Sequence, residues 1–384
     1  MKIADRVQNL PPYVFATLEK RLAAMRAQGK DIISLGIGSP DLAPPQFIID
    51  ALCRSASRSD THAYAGYFGT PALREAIAGY YQQRFGVAVD PATEILPLIG
   101  SKEGLANMAL AFIDSGDVAL VPDPGYPTYA MGAQMAGGES YPMPLLEEND
   151  FLVDFGAIPQ EVADRATVLW LDYPNNPTGA AAPLAFLLEA VDYCRKHDLV
   201  LCYDNPYCDL TFDGYVAPSV LEVPGAKDVA VEFNSLSKTY NMAGWRIGMA
   251  VGNAKAVQAL STIKTNIDSG IWLPIQEAAT VALNGDQSWI AERNMIYQRR
   301  RDIVLRWLPA IGLTARPPRG SLYVWAKLPE GVDAEAWATE MLDKAGVWLT
   351  PGPAYGVCGQ GYLRISLCTP EDRLIEAGER LSNV

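Results

Sequence analysis

One lysine of this 384-residue chain stands in a setting suited to covalent chemistry. Lys238 lies in SLSKTYNMAGWRIG (235–248), directly after the apolar run VAVEFNS (229–235). A lysine at the end of a buried strand loses solvation, so its amine is neutral at lower pH, the form that attacks a carbonyl to make a Schiff base. Ser235 and Arg246, on either side of it, offer a hydroxyl and a fork of N–H donors to a phosphate. Each of these residues alone is explained as well by a surface turn with an ordinary ion pair; the fourteen-residue string is not. Three more loops repeat the pattern of apolar run followed by a polar cluster: PDPGYPTY (122–129), YPNNPTG (173–179) and YDNPY (203–207). Ligands of parallel α/β sheets sit outside the C-terminal strand ends, so the four loops read as parts of one site.

The remaining composition narrows the chemistry. Only two histidines are present, His62 and His197, and His197 closes a helical stretch where a capping role is expected. Histidine triads and histidine-rich metal centres therefore lack material, and no metal site is expected. Six cysteines show no paired or zinc-type spacing and read as reduced core thiols. A net charge of −13 disfavours a general nucleic-acid or anionic-membrane partner, although a few Arg and Lys can still be focused on one phosphate. The first twenty-one residues lack an apolar run behind a basic end, and the longest apolar stretch, 180–188, is too short to span a bilayer, so a cytoplasmic protein is expected. Gly36 and Gly38 begin like a dinucleotide fingerprint, but Asp41 occupies the third glycine position and no βα pattern precedes them.

These loops need a scaffold. From about Asp117, short Val/Leu-rich runs (117–122, 166–174, 199–204, 229–235 and 245–252) alternate with amphipathic stretches such as PLAFLLEAVDYCRKH (183–197). Such runs suit strands buried on both faces of an α/β sheet. After about Asn284 a long polar helix (287–308) leads to the alternating segments SLYVWAKL (321–328) and YLRISL (362–367), as expected of a smaller α+β lobe. The length favours two lobes. The expected division is an N-terminal segment (1–45) packing with the small lobe, a large domain (46–285) and a C-terminal small domain (286–384).

The string 235–248 resembles, at every position, the cofactor-lysine signature of the class I and II aminotransferases, the fold-type-I pyridoxal-phosphate enzymes. The similarity runs from GIGSPDLAPP (36–45) to YLRISL (362–367). It implies a mostly parallel seven-stranded sheet flanked by helices, with pyridoxal 5′-phosphate bound to Lys238. By the same resemblance Asp204 holds the pyridine nitrogen protonated, Asn176 and Tyr207 bond the ring oxygen, and Tyr126 stacks on the ring. Ser101, Lys102, Ser235 and Arg246 form the phosphate cup, and Tyr64 reaches that phosphate from a neighbouring subunit, which implies a homodimer. Gly38 and Arg364 meet the substrate, Arg364 by a two-pronged contact with its α-carboxylate, with Asn176 also on the substrate side. The pattern commonly reads Asp-Glu-x-Tyr where this chain has Asp204-Asn205-Pro206-Tyr207; the Asp and Tyr spacing is kept, and position 205 marks a subgroup.

The activity implied is transfer of an amino group from an L-amino acid to a 2-oxo acid, with 2-oxoglutarate and glutamate as one pair. The segment 204–253 with KTNIDSG (264–270) looks most like the LL-diaminopimelate branch and its alanine and aspartate relatives; Tyr13, Phe15 and the KTNIDSG loop are candidate specificity contacts. A β-lyase of the same fold uses the same Lys, Asp, Asn and Arg, and product analysis separates the two. A degenerate cofactor-binding or regulatory protein is the non-enzyme alternative. It sits poorly with the retained Lys238, Asp204 and Arg364, and the match begins too early for an appended DNA-binding module.

Overall fold

Alternation of buried side chains on the Val/Leu-rich runs decides the architecture. In the computed structural model, which describes residues 1–8, 10 and 14–384, those runs become strands. In chain order the strands are β1 (Ile33–Ser34), β2 (Ile95–Leu98), β3 (Val118–Asp123), β4 (Glu139–Pro144), β5 (Ala166–Asp172), β6 (Val200–Asp204), β7 (Ala230–Ser235) and β8 (Gly248–Gly252). The C-terminal part adds β9 (Thr314–Ala315), β10 (Tyr323–Lys327), β11 (Val347–Trp348), β12 (Thr350–Pro351) and β13 (Tyr362–Ser366). Tyr13 and the side chain of Phe15 lie outside the described residues.

Seven strands form one sheet in the order β2-β8-β7-β6-β5-β3-β4. The five from β7 to β4 are parallel; β8 runs antiparallel to both β7 and β2. Along β5, Leu169 and Leu171 enter one apolar cluster while Val168 and Trp170 enter the other. A period-two strand with both faces apolar must be covered on both sides. The helix Leu184–His197 covers one face through Leu187 and Val191, and the helices Ser101–Phe112 and Ala254–Ile267 cover the other through Leu105, Met108 and Leu260.

Two strands were not legible as such. β2 is only ILPL, and β4 (ESYPMP) is largely exposed and carries two prolines, which an edge strand tolerates because no neighbour needs the missing N–H. The run 245–252 starts its strand late, at Gly248, because Arg246 takes a left-handed φ of 57°.

A third apolar cluster joins the four-stranded sheet β12-β13-β10-β9 to the first residues of the chain. Leu18 and Leu22 of the helix Val14–Ala27 share it with Leu322, Val324, Leu363 and Ile365, and β1 pairs in parallel with β11. The polar helix Trp289–Trp307 carries Tyr297 and Val304 into the same cluster. Of the cysteines, only Cys194, Cys202 and Cys208 are core residues. Cys53 is exposed and Cys358 and Cys368 are half-buried, a correction to the reading of all six as core thiols. No helix among the described residues is long and apolar enough to cross a membrane.

Candidate active site

The C-terminal ends of β5, β6 and β7 present Asp172, Asp204 and Ser235 to one cavity of about 380 Å³, closed from above by Tyr323 of β10 and Arg364 of β13. Gly38, Ser101, Lys102, Tyr126, Asn176, Tyr207, Lys238 and Arg246 also line it. Eleven of the twelve residues assigned to cofactor or substrate therefore converge; Tyr64 does not, and none of KTNIDSG (264–270) lines the cavity.

Lys238 belongs to a single helical turn, Leu236–Thr239, started by Ser235, whose hydroxyl oxygen accepts from the Ser237 N–H at 3.2 Å. The turn follows β7 without a loop, which fixes the lysine at the strand end. Its Nζ donates to the Gly38 carbonyl at 2.6 Å. Burial brings Lys238 down to about 8, helped by Arg364 and Arg246 and opposed by Cys368 and Asp204. A neutral amine is thus available near neutral pH.

Asp204 is buried, and the Tyr129 hydroxyl donates to its Oδ2 at 2.7 Å. Its other oxygen, Oδ1, is buried with no hydrogen-bond partner among the described residues. Burial raises its carboxyl above the ordinary range, while the Tyr129 hydroxyl and the Lys238 charge work in the other direction. An orphaned carboxylate oxygen in a polar cavity is costly unless a donor meets it.

Arg364 is buried and held by neutral acceptors, the Asn176 Oδ1 at 2.7 Å and the Gly36 carbonyl at 2.6 Å. Its guanidinium lies over the Tyr323 ring at 3.9 Å and the Tyr355 ring at 4.7 Å, stacking that a planar cation favours. The Tyr207 and Tyr323 hydroxyls meet at 3.1 Å. Gly38 has to be glycine here, since a Cβ would stand 1.8 Å from the Tyr323 hydroxyl oxygen.

At the other end of the cavity the helix Ser101–Phe112 begins after Gly100, which has a φ of 74°. A side chain on Gly100 would stand 2.2 Å from an Arg246 guanidinium nitrogen. The helix start, the Ser101, Ser235 and Ser237 hydroxyls and the Lys102 and Arg246 cations thus gather at one place. Such a set suits a phosphate dianion. The Lys102 amine lies 6.0 Å from the centre of the Tyr126 ring.

Tyr64 is 89% exposed and lies in the coil that leads to the helix Pro71–Phe85, outside the cavity. Asn205, the departure from the common pattern, is fully buried and turned away from the cavity: its amide donates to the Pro218 carbonyl at 3.3 Å and to Glu232 at 3.4 Å. Sequence reasoning missed Tyr129, Asp172, Tyr323 and Arg293. Asp172 ends a buried strand just as Asp204 does, so the same strand-end rule could have found it. Arg293, on the helix Trp289–Trp307, donates to the carbonyls of Lys238 at 2.9 Å, Asp209 at 2.6 Å and Thr239. Nothing local marks it, because its partners are 54 to 84 residues away.

Comparison with known proteins places this geometry. The family Aminotransferase class I and II matches residues 30–381. An LL-diaminopimelate aminotransferase of Dehalococcoides mccartyi is 52% identical over 383 residues, covering 100% of this chain and 99% of that protein. A second, from Moorella thermoacetica, is 49% identical over 384 residues, covering 100% and 98%. The substrate-bound structure of BacF from Bacillus subtilis superposes with a TM-score of 0.96 at 36% identity, covering 100% of this chain and 98% of that one.

Fold and family together define a fold-type-I, pyridoxal-phosphate-dependent transaminase. The chain belongs to the class I and II aminotransferases. The residues present fit the cofactor. The unmet Oδ1 of Asp204 suits a protonated ring nitrogen, the polar cluster around Gly100 suits the phosphate, and the depressed amine of Lys238 suits its aldehyde.

Proposed function

We propose that this aminotransferase takes LL-diaminopimelate as amino donor and 2-oxoglutarate as acceptor, with the site roles as follows. When bound, pyridoxal 5′-phosphate supplies an electron sink for the charge left when the α-proton of an amino acid departs. Lys238 links the cofactor at rest and, once freed, is the base that moves the α-proton. Asp204 keeps the ring nitrogen protonated, and Asn176 and Tyr207 face the ring hydroxyl. Tyr126 covers the ring, while Ser101, Lys102, Ser235 and Arg246 hold the phosphate. Arg364 grips the substrate α-carboxylate beside the Gly38 backbone.

The observation that carries the substrate assignment is identity of about half the residues, over the full length, to proteins named LL-diaminopimelate aminotransferase. A carboxylate at the cavity mouth, the exposed Glu19, suits a donor with a second ammonium group. Purified holoenzyme is mixed with LL-diaminopimelate, alanine, aspartate and glutamate, and bleaching of the visible cofactor band is followed. LL-diaminopimelate should react with the highest kcat/KM. Faster reaction with alanine or aspartate overturns the assignment and leaves the class of reaction untouched.

The active unit in this reading is a cytoplasmic homodimer in which Tyr64 completes the phosphate cup of the second copy. Tyr64, Tyr67, Phe68 and Trp272 are all exposed large aromatics, and residues 66 and 270 pack closely enough to make one patch of them. Such a patch marks an interaction surface. Within each copy, the divisions at 45/46 and 285/286 separate a large cofactor-binding domain from a small one that includes the N-terminal segment.

A further inference from the structure

Asp172 is not used by the roles above, yet it is 2% exposed and lines the same cavity. Strands β5 and β6 run parallel in register, so Asp172 and Asp204 are direct neighbours across the sheet. Two carboxyl groups side by side in a buried site cannot both ionise without strong repulsion. The hydrogen bonds they receive come from neutral donors, and unequally. Asp204 accepts from the Tyr129 hydroxyl at 2.7 Å, while Asp172 Oδ2 accepts, among the described residues, only from the Asn176 backbone N–H at 3.0 Å. Asp172 Oδ1 is buried with no partner among the described residues. The cations of the cavity favour the same division, since Lys238 acts on Asp204.

We propose that Asp172 is a positioning residue of this site, held as a neutral carboxylic acid, and that its proton leaves the negative charge to Asp204. The inference rests on the reading that Asp204 faces the ring nitrogen. Neutral Asp172 keeps its Oδ2 on the Asn176 N–H, and so holds the residue that also orients Arg364. It does this without adding a second negative charge beneath the ring. Around Asp172 lie Asp204 and Tyr203 on β6, Tyr129 on the helix Thr128–Ala136, and Tyr207 in the loop after β6. Tyr173 on its own segment and Tyr323 on β10 complete the set. Were Asp172 ionised, its charge would raise the hydroxyls of five of these, Tyr129, Tyr173, Tyr203, Tyr207 and Tyr323, in addition to the burial that acts on each. Asp172 itself is driven well above the carboxylate range by burial first and by Asp204 second, with only the Asn176 N–H opposing.

The sign of the consequence follows from linkage. A carboxyl whose folded value is raised stabilises the fold in its protonated form, and that stability is lost as pH rises from the unfolded value through the folded one. Asn is the uncharged isostere and carries no such dependence. Thermal unfolding of the cofactor-free wild type, Asp172→Asn and Asp204→Asn is therefore measured from about pH 5 to 8, the span that begins above an ordinary carboxylate. Cofactor affinity is measured by fluorescence titration with pyridoxal phosphate. The melting-temperature advantage of Asp172→Asn over wild type should grow steadily with pH. A protonated-carboxyl band should stand out in the infrared difference between wild type and Asp172→Asn at about pH 8, where the other raised buried carboxyls, Asp204 and Glu232 at about 7, are mostly ionised. Cofactor affinity should fall by about tenfold or more in Asp204→Asn and by less than about threefold in Asp172→Asn.

A pH-independent stability difference for Asp172→Asn, or the growing advantage appearing in Asp204→Asn instead, overturns the proposal. Unchanged cofactor affinity in Asp204→Asn refutes the ring-nitrogen reading, whereas the stability and infrared results on cofactor-free protein judge Asp172 alone.

Discussion

Replacing Tyr129 by Phe isolates one hydrogen bond of the cofactor site. Tyr129 is 1% exposed, and its ring stacks on Trp170 with centroids 4.9 Å apart and planes 12° from parallel, contacts that phenylalanine keeps. What is lost is the hydroxyl 2.7 Å from Asp204 Oδ2. A hydrogen bond to a charged group is worth about 1.5–3 kcal/mol, and its loss falls on the ionised carboxylate alone. At roughly 1.4 kcal/mol for each pH unit, the Asp204 carboxyl climbs by about one to two pH units. The ring-nitrogen contact then weakens by about ten- to a hundredfold, because it needs the anion. The assay is paired: fluorescence titration of cofactor-free protein with pyridoxal phosphate at neutral pH, and kcat with a saturating donor across pH. Affinity should drop by about that factor and recover partly as pH rises and Asp204 ionises. An affinity and pH profile within twofold of wild type, in a protein that melts normally, refutes the argument that Tyr129 holds Asp204 in its charged form.

Four other outcomes are expected. Lys238→Ala should abolish turnover while retaining cofactor held by the phosphate cup, read from the absorption of the desalted protein; near-normal turnover sinks the assignment. In wild type the rate of covalent cofactor attachment should rise with pH and level off above about 8, where the Lys238 amine is neutral, as a stopped-flow series would show. Arg364→Met should lower kcat/KM for the amino donor by roughly thirtyfold to several thousandfold, corresponding to about 2–5 kcal/mol for truncating one member of a buried charge pair. A steady-state comparison finding less than fivefold removes Arg364 from the carboxylate. Mixing the inactive variants Lys238→Ala and Tyr64→Ala should restore about a quarter of wild-type activity, because half the dimers carry one site free of both changes; no recovery after subunit exchange places Tyr64 outside its neighbour's site.

Much of this enzyme could be read along the chain because its chemistry sits at strand ends. Lys238, Asp204 and Asn176 each follow an apolar run that can only be a buried strand, and parallel strands present their C-terminal ends together. Arg364 was singled out by the family resemblance, and its place in the alternating segment YLRISL supplies the physical reason: an inward arginine there is expensive unless it meets an anion. The edge strands were hidden because β2 has only four residues, β4 is largely exposed, and both carry proline, which is permitted only where a neighbour's hydrogen bonds are not required.

What tertiary structure alone decided is pairing across distance. The register of β5 against β6 sets Asp172 beside Asp204, the helix Trp289–Trp307 brings Arg293 to the Lys238 carbonyl, and Tyr323 comes down on Gly38 from the other sheet. Asn205 was notable in the sequence but faces Glu232 behind the sheet, since adjacent residues past a strand end point to opposite sides. Periodicity reports which face a residue shares with its near neighbours in the chain, and so it determined the strands and the loops that bear the chemistry. The energies that set protonation and orientation, burial and the fields of charges a few ångströms away, depend on residues brought together from far along the chain, and those only folding supplies.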